Sequence, residues 1–352
     1  MAYTTIDDPS AHFHIHLYTG NNSNRSETND ANAGDFRPDW VWIKARSETK
    51  AGRFFDSSRG ATKVMYPSAT NSEATTATSL TSFDSDGFSL GSSDGINKNT
   101  ITYVGWQWKA NGGSRTTFTE SGDNPGGGYQ ANTTAGFSIV DFVGTGANGT
   151  VQHGLGVAPR WYIIKNRDRS ANWQVYHEDN GNTHYIKLND TGAKLDNHEI
   201  FNDTSPTSSV FSVGIDQSVN FNGENHIAYV FAEIQGYSKF GSYTGNGDAT
   251  NGPFIYTGFK PAWIMHRRTD SADSWYMWDV KRALDSQGYV NRNDKYLQAN
   301  STGVQSTGAG FDFLSNGFRP VSTNAGYINA SGGTYIYMAF AEHPFVSSEG
   351  VP

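Results

Sequence analysis

Three histidines alternate with apolar residues near the start of the chain: His12, His14 and His16 against Phe13, Ile15 and Leu17. In an extended strand this places the imidazoles on one face, about 6.8 Å apart along the backbone. That spacing is too long for neighbouring rings of one chain to chelate an ion easily, and such a face is ordinarily solvated or used for docking. Rotational symmetry would change the chemistry. Rings from several chains about an axis could surround zinc, nickel or iron with neutral nitrogens. The only cofactor this suggests is an axial divalent metal on His12, His14 and His16.

A second candidate is the dense aromatic group Trp275, Tyr276 and Trp278, which could stack on the faces of sugar rings. Other motifs fail on context. Gly144-Thr145-Gly146-Ala147-Asn148-Gly149 spells a dinucleotide fingerprint, but a glycine-interrupted loop follows where a helix must begin, so it reads as a turn. Gly91-Ser92-Ser93-Asp94-Gly95 has the nucleophile-elbow pattern, yet the next strand is expected to follow directly, leaving a polar loop. Glu233 and Glu342 occupy equivalent positions in separate units, with Trp108 at the corresponding place in the first, too far apart for a glycosidase pair. Asp84-Ser85-Asp86-Gly87 lacks the later ligands of a calcium loop and reads as a turn. No catalytic residue is expected.

The elements that carry these residues recur three times. A strand ends in a glycine turn at Leu17–Gly20, Asp141–Gly146 and Ser242–Gly247. A proline then opens an aromatic strand: Pro38-Asp39-Trp40, Pro159-Arg160-Trp161 and Pro261-Ala262-Trp263. Closing strands follow at Tyr103–Trp106, Ala228–Glu233 and Tyr337–Glu342. Because Trp40, Trp161 and Trp263 share one repeat position, they are expected to anchor the core of each unit. A weaker landmark, Ser85–Gly91, Ser208–Gly214 and Ser315–Phe318, predicts hairpins in the first and third units. Val210 cannot cheaply adopt positive φ, so the second unit should turn differently there. The one helical turn expected lies around Val280 to Ser286.

The prolines are 121 and 102 residues apart, and the excess falls in the glycine-rich stretch Asn111–Ala135, which reads as a linker. The expected organisation is therefore a β repeat over 1–110, a linker over 111–135, repeats over 136–235 and 236–346, and a tail over 347–352. The fold class expected is all-β: three tandem antiparallel β-sandwiches of jelly-roll type, or one larger assembly with shared strands.

Composition narrows the function. Only 17% of the residues are charged and 14% are aromatic, a mixture suited to short strands and many turns rather than disorder. The net charges of 1–112, 113–235 and 236–352 are −2, −6 and 0, so no segment offers the basic stripe a nucleic-acid binder needs. There is no cysteine, hence no disulfide or thiolate metal site. Met1–Ser10 is polar and acidic, unlike an export signal, and no apolar run is long enough to span a bilayer.

Four segments carry a resemblance: Phe36–Lys44, Tyr103–Ala110, His153–Pro159 and Ala330–Glu342. Together they resemble a repeat domain of unknown function found in structural genes of marine bacteriophages, often labelled tail-fibre or virion proteins. The resemblance implies a non-enzymatic virion component, made in the host cytoplasm, displayed on the particle surface and contacting other virion proteins. It further implies a homo-oligomer, with a trimer favoured. The role expected is a tail-fibre-like surface appendage that binds host surface polysaccharide. Capsid decoration is the alternative, and a secreted bacterial carbohydrate-binding module or a polysaccharide-degrading enzyme would be the reading from another class.

Overall fold

A computed structural model describes residues 4–29, 36–283, 291–321 and 326–344, with side chains of the last strand to Ala341. The chain is mostly β, and every strand pair among the described residues is antiparallel. Three sheets share one central order of four strands. In the first, Phe13–Thr19 pairs with Thr102–Trp108, which pairs with Trp40–Ala45, then Arg53–Asp56. In the second, the order is Phe137–Val143, Asn225–Phe231, Trp161–Asn166 and Gln174–His177. In the third, it is Ser238–Thr244, Thr334–Pro344, Phe259–Arg268 and Tyr276–Asp279. Even the register agrees, since Trp40 lies opposite Trp108, Trp161 opposite Phe231 and Trp263 opposite Phe340.

The three sheets do not build three separate interiors. Their inward residues form one cluster that includes Trp40, Trp106, Trp161, Phe231, Trp263 and Phe340. Contacts within it run in a ring. Trp40 stacks on Tyr229 of the second sheet with ring centres 4.4 Å apart. Trp161 meets Trp275 of the third sheet at 5.4 Å, and Trp263 meets Trp108 of the first at 5.7 Å. Each such pair contributes about 0.5–1.5 kcal/mol beyond its burial. The three tryptophans are core anchors, but they anchor a shared centre rather than the private core of each unit. Strand alternation puts the next residue, such as Val41, Tyr162 or Ile264, on the opposite face, where three smaller clusters complete each sheet.

Several expectations change. Asn111–Ala135 is not simply a linker: Thr116–Phe118 and Gly126–Asn132 extend the second sheet, the latter pairing with all seven residues of Phe137–Val143. Its glycines serve close approach, because a Cβ at Gly127 would lie 2.1 Å from the Asp141 carbonyl oxygen. Pro38 and Pro159 precede their strands, whereas Pro261 sits inside one at a register shift, where the missing N–H is tolerated. Val210 begins a strand that pairs with Gly149–Gln152, so the second unit makes no hairpin there. In the first unit, Gly87 takes φ +91° at the tip of the predicted hairpin. Val280–Arg282 forms a turn, while the rest of the expected helical turn and the 347–352 tail lie outside the described residues.

A device not anticipated from the sequence fixes the glycine turns. Single-turn helices at Asp94–Asn97, Gln217–Asn220 and Gly326–Asn329 each end in a buried asparagine. The side-chain oxygens of Asn97, Asn220 and Asn329 accept from the backbone N–H of Asn21, Thr145 and Asn246, all at 2.9–3.0 Å. Each amide thus ties the end of the first strand to the start of the closing one. The triplets ending Ile96-Asn97, Val219-Asn220 and Ile328-Asn329 were the available signal.

Candidate functional site

The ends of the fourth strands place one side chain of each unit against the next sheet. Asp56, His177 and Asp279 lie opposite Trp40, Trp161 and Trp263, so they are equivalent positions. Asp56 accepts from the Tyr229 hydroxyl of the second sheet at 2.7 Å and is paired with the buried Arg59. Asp279 accepts from the Trp106 indole of the first sheet at 3.0 Å and is paired with the buried Arg282 at 2.5 Å. In both, the guanidinium also donates to a backbone carbonyl of its own fourth strand, Phe54 or Met277. Burial disfavours the Arg59 cation, but Asp56, Tyr229 and Glu73 hold its pKa above the ordinary value.

The third junction is different. His177 replaces the aspartate, and Asn180 stands three residues on, where the other units have arginine. The Nδ1 of His177 accepts from the Asp179 N–H at 3.0 Å, which leaves Nε2 to donate to the Tyr337 carbonyl at 3.3 Å. Burial pushes this imidazole down to about 4, so it is neutral. Two junctions are therefore held by buried ion pairs and one by an uncharged ring.

A second equivalent set places a cation near each junction. Lys44 donates to the Ser301 carbonyl of the third unit at 2.6 Å, and Arg267 donates to the Lys187 and Asp190 carbonyls of the second at 2.7 and 2.8 Å. Lys165 instead donates to the Asn166 carbonyl of its own unit at 2.7 Å. Burial lowers Lys44 and Lys165 to about 8 and Arg267 to about 10.

The residues singled out by sequence are distributed otherwise than expected. His14 is buried opposite Gln107. His16 is bonded to Glu27 at 2.9 Å, beneath Phe88. His12 packs at the edge of Tyr237. Two of the three imidazoles are thus covered by this chain's own second layer, which contradicts an outward ring at a symmetry axis. No group of three or more metal-ligating side chains gathers among the described residues.

Trp275 lies in the central cluster and Trp278 in the outer one, while Tyr276 packs on Tyr327 at 4.6 Å. They cannot form an open sugar platform, because alternate residues of one strand fill two interiors. Ser93 is followed by a helical turn after all, but its hydroxyl accepts from Arg53 at 3.0 Å. Glu233 is held by Lys239 at 2.7 Å and Arg160 at 3.6 Å. The strand register makes Ala110, not Trp108, its counterpart in the first unit. The Glu342 side chain lies outside the described residues.

Among the surface grooves of the described residues, three border the second and third sheets. One of about 350 Å³ runs past Pro159, Arg160, Tyr176 and Glu233. Another, of about 400 Å³, is walled by Asn172, Gln174, Tyr185 and Gln217. The third, of about 300 Å³, opens at the uncharged junction beside Asn180.

One family match spans this whole arrangement, from residue 8 to residue 344, all three sheets included. The chain belongs to the DUF7483 family. That family is described as a domain of unknown function, and no curated protein matches the chain. This DUF7483 chain contains no helix, among the described residues, long and apolar enough to cross a membrane.

Proposed function

We propose that the protein is a non-enzymatic structural component of a bacteriophage particle, a tail-fibre-like surface appendage that contacts host surface glycans. The motif resemblance supports the virion assignment. The observation that carries the structural role is the single aromatic core, in which each sheet uses its inward face to hold the other two. Such a body is a rigid block with polar loops outward, suited to stacking onto neighbours and to repeated display. The equivalent strand orders and registers support descent from three copies of one sandwich-like unit. Carboxylates and hydroxyls that could serve hydrolysis are instead committed, Glu233 to Lys239 and Ser93 to Arg53, which supports a non-catalytic reading.

The test is antibody labelling of purified virions viewed by electron microscopy. Label on the tail supports the appendage, and label on the head would transfer the role to capsid decoration. Particles free of the protein, with the chain recovered only from lysate, would refute the virion assignment.

A further inference from the structure

We propose that the outer groove of the second unit binds a neutral hexose residue of a surface glycan, a site and ligand class that rest on the glycan contact proposed above.

The three units fill the same outward space differently. Arg53, Gln174 and Tyr276 begin the fourth strands opposite Ile43, Ile164 and His266, so they are equivalent positions. Strand alternation turns them away from the shared centre, toward the single-turn helices. There, two residues before each buried asparagine, stand Gly95, Ser218 and Tyr327. In the first unit Arg53 donates to the Ser79 and Ser93 hydroxyls at 2.8 and 3.0 Å and leaves no room for a Cβ at Gly95. In the third, the Tyr276 and Tyr327 rings stack with centres 4.6 Å apart, and they lie 5.3 and 5.9 Å from Tyr296. In the second, Gln174 donates to the Ser218 hydroxyl at 2.8 Å, and neither side chain carries a ring. A groove of about 400 Å³ opens at that one place, within the range of small-molecule pockets.

The third unit shows which shape suits the space. Tyr185 holds the position of Tyr296, since Val175 pairs with Ile186 as Met277 pairs with Leu297. Two six-membered rings of the protein itself cover Tyr296. At Tyr185 their places are taken by an amide and a hydroxyl, so the opening is ring-sized with an aromatic residue in its wall. A pyranose is a ring of that size, with an apolar face for the aromatic side. The remaining walls favour a neutral polyol over an ion. Arg169 is paired with Glu224 at 2.5 Å and Lys187 with Asp190 at 3.6 Å, while Asp216 accepts from the Ser218 N–H at 2.8 Å. Charges of both signs are thus committed to the protein. Tyr185, Ser218, Asn172 and Gln217 add hydroxyls and amides that both donate and accept, as the ring hydroxyls of a sugar require. Gln174 lies opposite Lys187 on the neighbouring strand, so this wall is held by strand pairing and not by a loop.

The experiment is saturation-transfer NMR of the full chain with glucose, galactose, mannose and, for comparison, glucuronate, each at millimolar concentration. At least one neutral hexose should receive saturation and bind more tightly than glucuronate. Gln174→Tyr/Ser218→Tyr supplies the two rings found in the third unit and should abolish the signal while the thermal transition is retained. Tyr185→Phe keeps the packing and removes one hydroxyl, so it should weaken binding about fivefold, a readout that stands even where the double variant does not fold. Absence of saturation on all three hexoses, tighter binding of glucuronate, a signal that survives in the folded double variant, or binding unchanged in Tyr185→Phe would each overturn the proposal. Particle labelling reads the virion role separately, so a chain found on virions yet silent toward hexoses fails this inference alone.

Discussion

Replacing Arg59 by methionine removes the cation and keeps the unbranched stem. The structure then leaves Asp56, fully buried, facing Tyr229 without its charge partner. Breaking a buried pair from one side costs about 3–5 kcal/mol, because the remaining charge keeps its desolvation penalty. For a chain of 352 residues, with an unfolding entropy of about 2.1 cal/mol/K per residue, that loss lowers the melting temperature by roughly 4–7 °C. Calorimetry at pH 7 reads it directly. The transition should stay single, because Tyr229 and Trp40 belong to the same central cluster and no sheet can melt alone. The double variant Asp56→Leu/Arg59→Met removes both charges and should recover most of the lost stability. A single variant that melts within a degree of wild type, or a double variant worse than the single, would refute the assignment of Asp56–Arg59 as a desolvated clasp.

Two further outcomes follow from the same geometry. His177, His226 and His266 are each pushed by burial from the ordinary 6.5 to about 4, so folding favours their neutral forms. That contribution is full above pH 6.5 and is lost as pH falls toward 4, when the unfolded chain binds more protons, so a melting temperature that is flat from pH 7 to 5 would refute it. Limited proteolysis should cut the exposed stretch Asn111–Asn124, and the nicked pieces should still elute together because their sheets share one core; separation of a free N-terminal fragment would contradict the shared centre.

The strands were legible because their signals are local. Proline before an aromatic run, a glycine turn after an alternating strand, and an aromatic closing strand each depend on a few adjacent residues. What those strands face is not local. Alternation at Trp40, Val41 and Trp42 shows two faces, but nothing in it says that one faces two other sheets 100 and 200 residues away. Trp275 and Trp278 misled for that reason: an aromatic run peculiar to one unit resembles a platform, yet its alternate members fill two different interiors. His14 and His16 misled in the opposite sense, since the layer that covers them, with Glu27 and Phe88, comes from segments that alternation in the first strand cannot report. Gly126–Gly128 read as slack chain because glycine serves flexibility and close approach equally well, and only the neighbouring strand distinguishes them.

Equivalent positions that differ between units carry information that equivalent positions that agree do not. Where Trp40, Trp161 and Trp263 agree, the residue answers to the common fold. Where the sequence changes from Asp56 to His177 to Asp279, and from Arg59 to Asn180 to Arg282, a buried ion pair gives way at one junction to a neutral ring and an uncharged amide. Stability permits that exchange, because a buried ion pair and a well-packed neutral pair can close the same junction at similar free energy. It does not follow from a looser interface: Arg267, Trp275 and Thr269 still tie the third sheet to the second through Lys187, Asp190 and Lys194 backbone groups. The contact is kept and its centre is altered.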